Sequence, residues 1–280
     1  MLRIYKVSEG AARPNGVAID ETARELRAGS LVLVPTETVY GIGVSVRACI
    51  DHRGMSAASR EPARRIASAA GAASAAPAPF AATGRDGAVP FLVNGQLPPA
   101  PATGYGRIFT LKRRALTQTV PWLVDGPAAL DRYGTSVAPE LRVLAEAFWP
   151  GALTIVVPAA PAVPAFLRAA DGTVALRASA SPVVQALVRA CGSPLAVTSA
   201  NTHGAPAPVA FDKVEPRVLA GVDVAIDAGA TPCRDASTIV SMRAGAVCIL
   251  RQGALSAAHI HAALASAHPT ENGGGHGALS

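Results

Sequence analysis

Short apolar, β-branched runs alternate with amphipathic helical segments along the chain, and that alternation restricts the fold more than any other feature. LVLVP (31–35), ALTIVVP (152–158), TVALRA (173–178), PLAVTSAN (194–201), VDVAIDAG (222–229), ASTIVSM (236–242) and AVCILR (246–251) read as strands. Between them, DETARELR (20–27) has helical spacing, with Asp20 as candidate N-cap and Gly29 as the stop. PELRVLAEAFWPG (139–151) repeats apolar residues at Leu141, Leu144, Ala145 and Phe148, and SPVVQALVRACG (181–192) closes on Gly192. IFTLKRR (108–114) ends a further helix. Strands interleaved with helices predict an α/β or mixed α+β sheet.

From about Ala48 to Tyr105 the character changes to Ala, Pro, Gly and Ser with few large apolar residues. Such a segment buries too little surface to offset its ordering entropy, so it reads as a mobile insert, with room for a short helix near 61–70. The expected organisation is one domain over 1–268, interrupted at about 48–105, with a disordered tail at 269–280. Half the residues are hydrophobic but only 4 % are aromatic, so the core is built from Ala, Val, Leu and Ile. Few aromatics also means few stacking platforms for single-stranded nucleic acid.

The formal net charge is +6. That suits a polyanion such as a nucleotide or RNA, although a GC-rich genome would give the same Ala, Arg and Gly excess. Cys49, Cys191, Cys233 and Cys248 form no C-x-x-C pair and read as free thiols. The opening MLRIYKVSEG has no apolar h-region, and no run of about 18 apolar residues occurs. The expectation is a cytoplasmic protein with no membrane partner.

Three constellations carry chemistry. PTETVYGIG (35–43) offers two hydroxyls, a carboxylate, a phenol and two glycines that let backbone approach a ligand; an ordinary strand–turn would look the same. It is not a phosphate loop of the G-x-x-x-x-G-K-[ST] type. Lys112-Arg113-Arg114 can bind phosphates or simply end a helix in solvent. Thr198 to Asn201 suits either ligand hydrogen bonds or a turn. Arg177 and Arg251, each on a strand pattern, must be paired or face a ligand. His259 and His261 lack a third ligand at metal spacing, so no metal site is expected. Ser237 has no His/Asp partner pattern, and GxSxG is absent.

In order, PTETVYGIG, KRR, FWPGALTIVV, TVALR, TSAN, DASTIV and ILRQGALS resemble the YrdC/Sua5 family of L-threonylcarbamoyladenylate synthases, over about 15–47 and 107–256. The resemblance implies a twisted open mixed sheet around a basic concave groove. It implies that ATP, L-threonine and bicarbonate give threonylcarbamoyl-AMP and pyrophosphate, with Mg2+ accompanying ATP. The product would serve the N6-threonylcarbamoyl modification of adenosine 37 in tRNA, with tRNA or tRNA-modification proteins as partners. By the same resemblance, Lys112 and Arg114 would hold the phosphates and act in catalysis. Thr173, Ser199, Asn201 and Arg251 would touch ATP, while Thr38, Arg177, the backbone around Val197 and Ser237 would meet threonine. Little covalent work falls to such a protein; it aligns three reactants and neutralises charge.

The chain departs from the family pattern at particular places. Arg113 and Ala115 replace the Gly and Pro of K-G-R-P. Gln118 and Leu123 stand in the places of an Asn and a His, Thr198 replaces a common Pro, and Ala207 stands where Ser is common. Asp235-Ala236-Ser237 separates an acid–Ser junction, and about 55 residues are inserted before KRR. These changes bear on the amino-acid side of the pocket. Two other readings follow: a paralogue making a carbamoyl-adenylate from another amine, and an RNA-binding module for double-stranded RNA or tRNA.

Overall fold

The computed structural model describes residues 2–7, 15–51, 92–96, 98 and 100–267. Their strands are β1 (Arg3–Lys6), β2 (Val32–Pro35), β3 (Tyr40–Ser45), β4 (Trp122–Leu123), β5 (Leu153–Pro158), β6 (Thr173–Arg177), β7 (Leu195–Ser199), β8 (Val224–Asp227), β9 (Thr238–Arg243) and β10 (Ala246–Arg251). They form one mixed sheet in the order β1-β8-β2-β3-β7-β4-β6-β5-β9-β10. The helices are α1 (Gly16–Arg27), α2 (Val46–Asp51), α3 (Gly104–Lys112), α4 (Ala129–Tyr133), α5 (Pro139–Phe148), α6 (Pro182–Cys191), α7 (Pro216–Ala220) and α8 (Ala257–Ala267).

Side chains alternate across a strand, and here both faces are apolar. In β2, Leu33 enters one cluster while Val32 and Val34 enter the other; in β8, Ala225 faces opposite to Val224 and Ile226. The smaller cluster packs Ile19, Ala23 and Leu26 of α1 and Val184, Leu187 and Val188 of α6 onto the sheet. The larger one takes α3, α5 and Ile260 of α8. The expected α/β class is what the chain adopts: a large mixed sheet covered on both faces.

Some boundaries differ from the sequence reading. Asn15, not Asp20, caps α1, its side chain accepting from Val17 N; Asp20 lies inside the helix. Gly29 does stop it, at φ 82°, with Ser30 N donating to Glu25 O. The segment expected to be loop over 48–105 is ordered at both ends. The chain runs from β3 straight into α2, and α3 begins at Gly104. Asn94 Nδ2 donates to the carbonyls of Ala165, Arg168 and Ala169. Residues 52–91, with the helix expected at 61–70, and the tail 268–280 lie outside the described residues. No helix among the described residues is long and apolar enough to cross a membrane.

Candidate active site

Four chain segments converge on one cleft of about 490 Å³: the end of α3, the loop after it, the end of β7 and the end of β10. Its cations are Lys112, Arg114 and Arg251; Thr117, Thr119, Thr198, Ser199 and Asn201 add hydroxyls and an amide, and no lining residue is acidic. Lys112 is the last residue of α3. Arg113 then takes the left-handed conformation (φ 51°, ψ 49°), its N–H reaching the carbonyls of Phe109 and Thr110. That reversal carries Arg114 back toward the cleft. A non-glycine residue held left-handed costs about 1 kcal/mol, and the Arg113 side chain is exposed. Arg113→Gly is therefore expected to stabilise the protein by about 0.5–1 kcal/mol, raising Tm by roughly 1–3 °C in a thermal melt, with ligand binding unchanged.

Lys112 is buried and organises the turn after β7. Its Nζ donates to Ser199 O (2.6 Å) and Asn201 O (2.9 Å), and also reaches Asn201 Oδ1 (3.1 Å) and Ser199 Oγ (3.3 Å). Burial, and then the charge of Arg114, pull its pKa down to about 8, with Glu215 opposing. Arg114 donates to Thr119 O and, at 3.4 Å, to Thr198 Oγ1, while its buried Nε has no partner among the described residues. Thr198, at the place of the family's Pro, thus supports a cleft guanidinium.

Arg251 joins this cleft to a second group of side chains. Its Nη2 donates to Ser237 O (2.6 Å) and Ser237 Oγ (3.2 Å), and Ser237 Oγ meets Thr154 Oγ1 at 2.8 Å. Gly253 makes room for this, since a Cβ there would fall 2.2 Å from Ala236 O. Burial, and then the neighbouring Arg177 charge, lower the pKa of Arg251, with Asp235 opposing. Arg177 donates from Nε to Gly151 O (3.0 Å) and from Nη2 to Glu37 Oε1 (2.5 Å) and Thr38 Oγ1 (2.9 Å). Ser179 Oγ donates to the other Glu37 oxygen. Burial would raise the pKa of Glu37, but the Arg177 charge and these hydrogen bonds outweigh it and hold the carboxyl below its ordinary value.

The structure brings together Lys112, Arg114, Ser199, Asn201 and Arg251 in the cleft and ties Ser237 to it through Arg251, while Thr38 and Arg177 form a buried group with Glu37 whose charge bears on Arg251. Thr38 is fully buried, and its hydroxyl serves Arg177 and Thr36. Val197 packs its methyls over Gly41 and Gly43, where an added Cβ would come within 2.5 Å of them. Those glycines admit β7 rather than a ligand. Thr173 stands at the other end of β6 from Arg177, roughly 13 Å along the strand, and donates its hydroxyl to Asp171 at 2.6 Å; it is not in the cleft wall. Leu123 is in the smaller apolar cluster. The sequence reading gave no role to Glu37, Ser179 or Thr154. Glu37 carried one signal, a carboxylate inside an otherwise hydroxyl-rich turn.

The Sua5–YciO–YrdC family, described as "Telomere recombination", matches residues 101–253. A Mycobacterium leprae (strain TN) protein provisionally named threonylcarbamoyl-AMP synthase is 33 % identical over 260 residues, 93 % of this chain and 93 % of that protein. A Pyrococcus abyssi (strain GE5 / Orsay) protein named threonylcarbamoyl-AMP synthase is 26 % identical over 230 residues, 82 % of this chain and 52 % of that protein. In three dimensions, P. abyssi Sua5 complexed with L-threonine superposes with a TM-score of 0.68 at 23 % identity. It covers 94 % of this chain, which spans 60 % of that protein's length. With the family's match over more than half of its length, and a relative 33 % identical over 93 % of it, the chain belongs to the Sua5–YciO–YrdC family.

Proposed function

We propose that this chain is a threonylcarbamoyl-AMP synthase, consuming ATP, L-threonine and bicarbonate and releasing pyrophosphate. The observation that carries this reading is the junction at Arg251, where an acid-free cationic cleft meets a buried Arg–Glu pair. A triphosphate suits the first and an amino acid the second. The names of the relatives described above support the same reaction.

The amine of threonine and bicarbonate give a carbamate with loss of water. A carbamate oxygen attacks the α-phosphorus of ATP, and the bond to the β-phosphate breaks as pyrophosphate leaves. Arg114 and Arg251 neutralise charge that builds on the phosphates, and Lys112 holds Ser199 and Asn201 in place beside them. Thr173 would be reached only by an extended nucleotide. Among the described residues no group of three His, Cys, Asp or Glu side chains could hold a metal. The hydroxyl and amide lining instead fits Mg2+ that arrives on the phosphates of ATP. The formal charge of +6 supports tRNA, or a protein that modifies it, as the downstream partner. The reading is tested by incubating the protein with ATP, threonine and labelled bicarbonate: label should appear in an adenylate that co-migrates with threonylcarbamoyl-AMP. An ATP- and threonine-dependent reaction that leaves no label in any adenylate contradicts it.

Lys112 gives this reading a pH dependence. A cation that loses its proton near pH 8 serves a phosphate only while charged. ATP affinity should therefore fall above pH 8, by up to about tenfold per unit, until the raised pKa of the bound state is passed. Folding stability should move the other way: the folded pKa of about 8 lies below the ordinary 10.5, so the unfolded chain binds more protons between them and stability rises with pH there. Calorimetric titration of ATP from pH 7 to about 9.5, with Lys112→Met as the flat control, measures the first trend; chemical denaturation over the same range measures the second.

A further inference from the structure

Glu37 and Arg177 are each less than a tenth exposed, and their charges meet at 2.5 Å. A buried pair of this kind contributes little to stability unless its hydrogen bonds are complete. These are not. A carboxylate has about four lone-pair sites; Glu37 accepts from the side chains of Arg177 and Ser179, one on each oxygen, and from its own backbone N–H, which leaves about one site over. A guanidinium has five N–H groups; Arg177 engages Nε and Nη2, while Nη1 donates to no described residue. A spare acceptor site and a spare donor group therefore lie side by side.

The surrounding charges point to the ligand. The charge of Arg177 bears on Arg251, whereas the cation that acts on buried Glu37 is Arg177, and Asp235 is exposed. An added carboxylate would take the idle Nη1 of Arg177, and an added ammonium the spare acceptor site of Glu37. Thr38 and Ser179 brace the outer edges of the pair, and Cys233 N donates to Glu37 O at 2.8 Å, fixing the turn that carries the carboxylate.

We propose that Glu37 is the receptor for the α-ammonium of the substrate, so that Arg177 and Glu37 together form a zwitterion site that selects free α-amino acids over simple amines and over hydroxy acids. The proposal rests on the function proposed above and adds to it the group that Glu37 reads. The substrate lies antiparallel to the resting pair, its carboxylate toward Arg177 Nη1 and its ammonium toward Glu37, and each buried charge gains a second partner.

The test is calorimetric binding to the full chain with a non-hydrolysable ATP analogue present. The ligands are L-threonine, β-hydroxybutyrate (no amine) and threoninol (no carboxylate). The wild-type protein should bind threonine, and each truncated ligand about tenfold or more weakly. Glu37→Gln should weaken threonine about tenfold or more while leaving β-hydroxybutyrate unchanged or tighter, and Glu37→Asp should recover part of the loss. Unchanged binding of the ATP analogue reports that the variants are folded. Equal weakening of threonine and β-hydroxybutyrate in Glu37→Gln would reduce Glu37 to a support for Arg177 and overturn the proposal, as would no change in threonine. If another free α-amino acid binds in place of threonine with the same dependence on Glu37, the zwitterion site stands and the threonine reading falls. If the wild-type protein binds no α-amino acid, both fall.

Discussion

Arg177→Ala should be the most damaging single change at this site, lowering stability by about 3–5 kcal/mol and abolishing use of the amino acid. The reason is the carboxylate it leaves behind: Glu37 stays buried with Ser179 as its remaining side-chain donor, and an unpaired buried charge costs that much. The pH dependence should reverse as well. In the native protein the pKa of Glu37 lies below its ordinary value, so the pair contributes stability above the unfolded carboxyl pKa and loses it as pH falls through the lower, folded one. Without Arg177, burial raises that pKa, and the variant should regain stability on acidification from pH 7 toward about 5 while the native protein does not. Replacing both residues, as Glu37→Gln with Arg177→Met, should recover at least half of the loss. Denaturation curves at the two pH values check each statement.

Arg251→Ala should have the largest effect on the nucleotide side, weakening ATP binding or turnover by about tenfold or more, because a charge-assisted bond to phosphate contributes roughly 1.5–3 kcal/mol. The same change removes the donor to Ser237 O and Oγ, so the KM for threonine should rise alongside that for ATP. Arg114→Ala should match it on ATP alone, since Arg114 contacts Thr119 and Thr198 and not the Glu37 pair. Steady-state kinetics in each substrate separate the two variants, with circular dichroism as the check on folding. Near-normal turnover in both would remove the phosphate site.

Local pattern made most of the sheet legible, since strands such as LVLVP and ALTIVVP are apolar runs that both faces of the sheet demand. β1 escaped because RIYK has no such run and is largely exposed to solvent; it pairs with β8, more than 200 residues along the chain. Where the chain re-enters the described fold before Lys112, composition was a poor guide for a different reason. Small residues suggest loose chain, but Gly104 and Gly106 serve close packing: a Cβ on either would fall 2.4 Å from a backbone carbonyl, of Gly29 and Ala100 respectively. Poverty in large side chains marked a tight contact there. The site shows the same limit. Lys112, Arg114 and Arg251 announce themselves as charges at the ends of helices and strands. Glu37 meets Arg177 across 140 residues, and only the fold brings them together.

If the cationic cleft and the buried pair serve one reaction, pyrophosphate release from ATP across a panel of amines will show it. The panel is threonine, serine, glycine and simple amines, each with and without bicarbonate. Release should require both threonine and bicarbonate. Serine should discriminate less sharply than a site with a dedicated hydroxyl partner would allow, since Leu123 is buried in the apolar cluster and Thr38 and Ser237 already have partners. Release with a simple amine and none with threonine would rule out the threonine reaction and make the chain a carbamoyl-adenylate enzyme of another kind. No amine-dependent release, together with tight binding of tRNA, would contradict both reactions and leave an RNA-binding module.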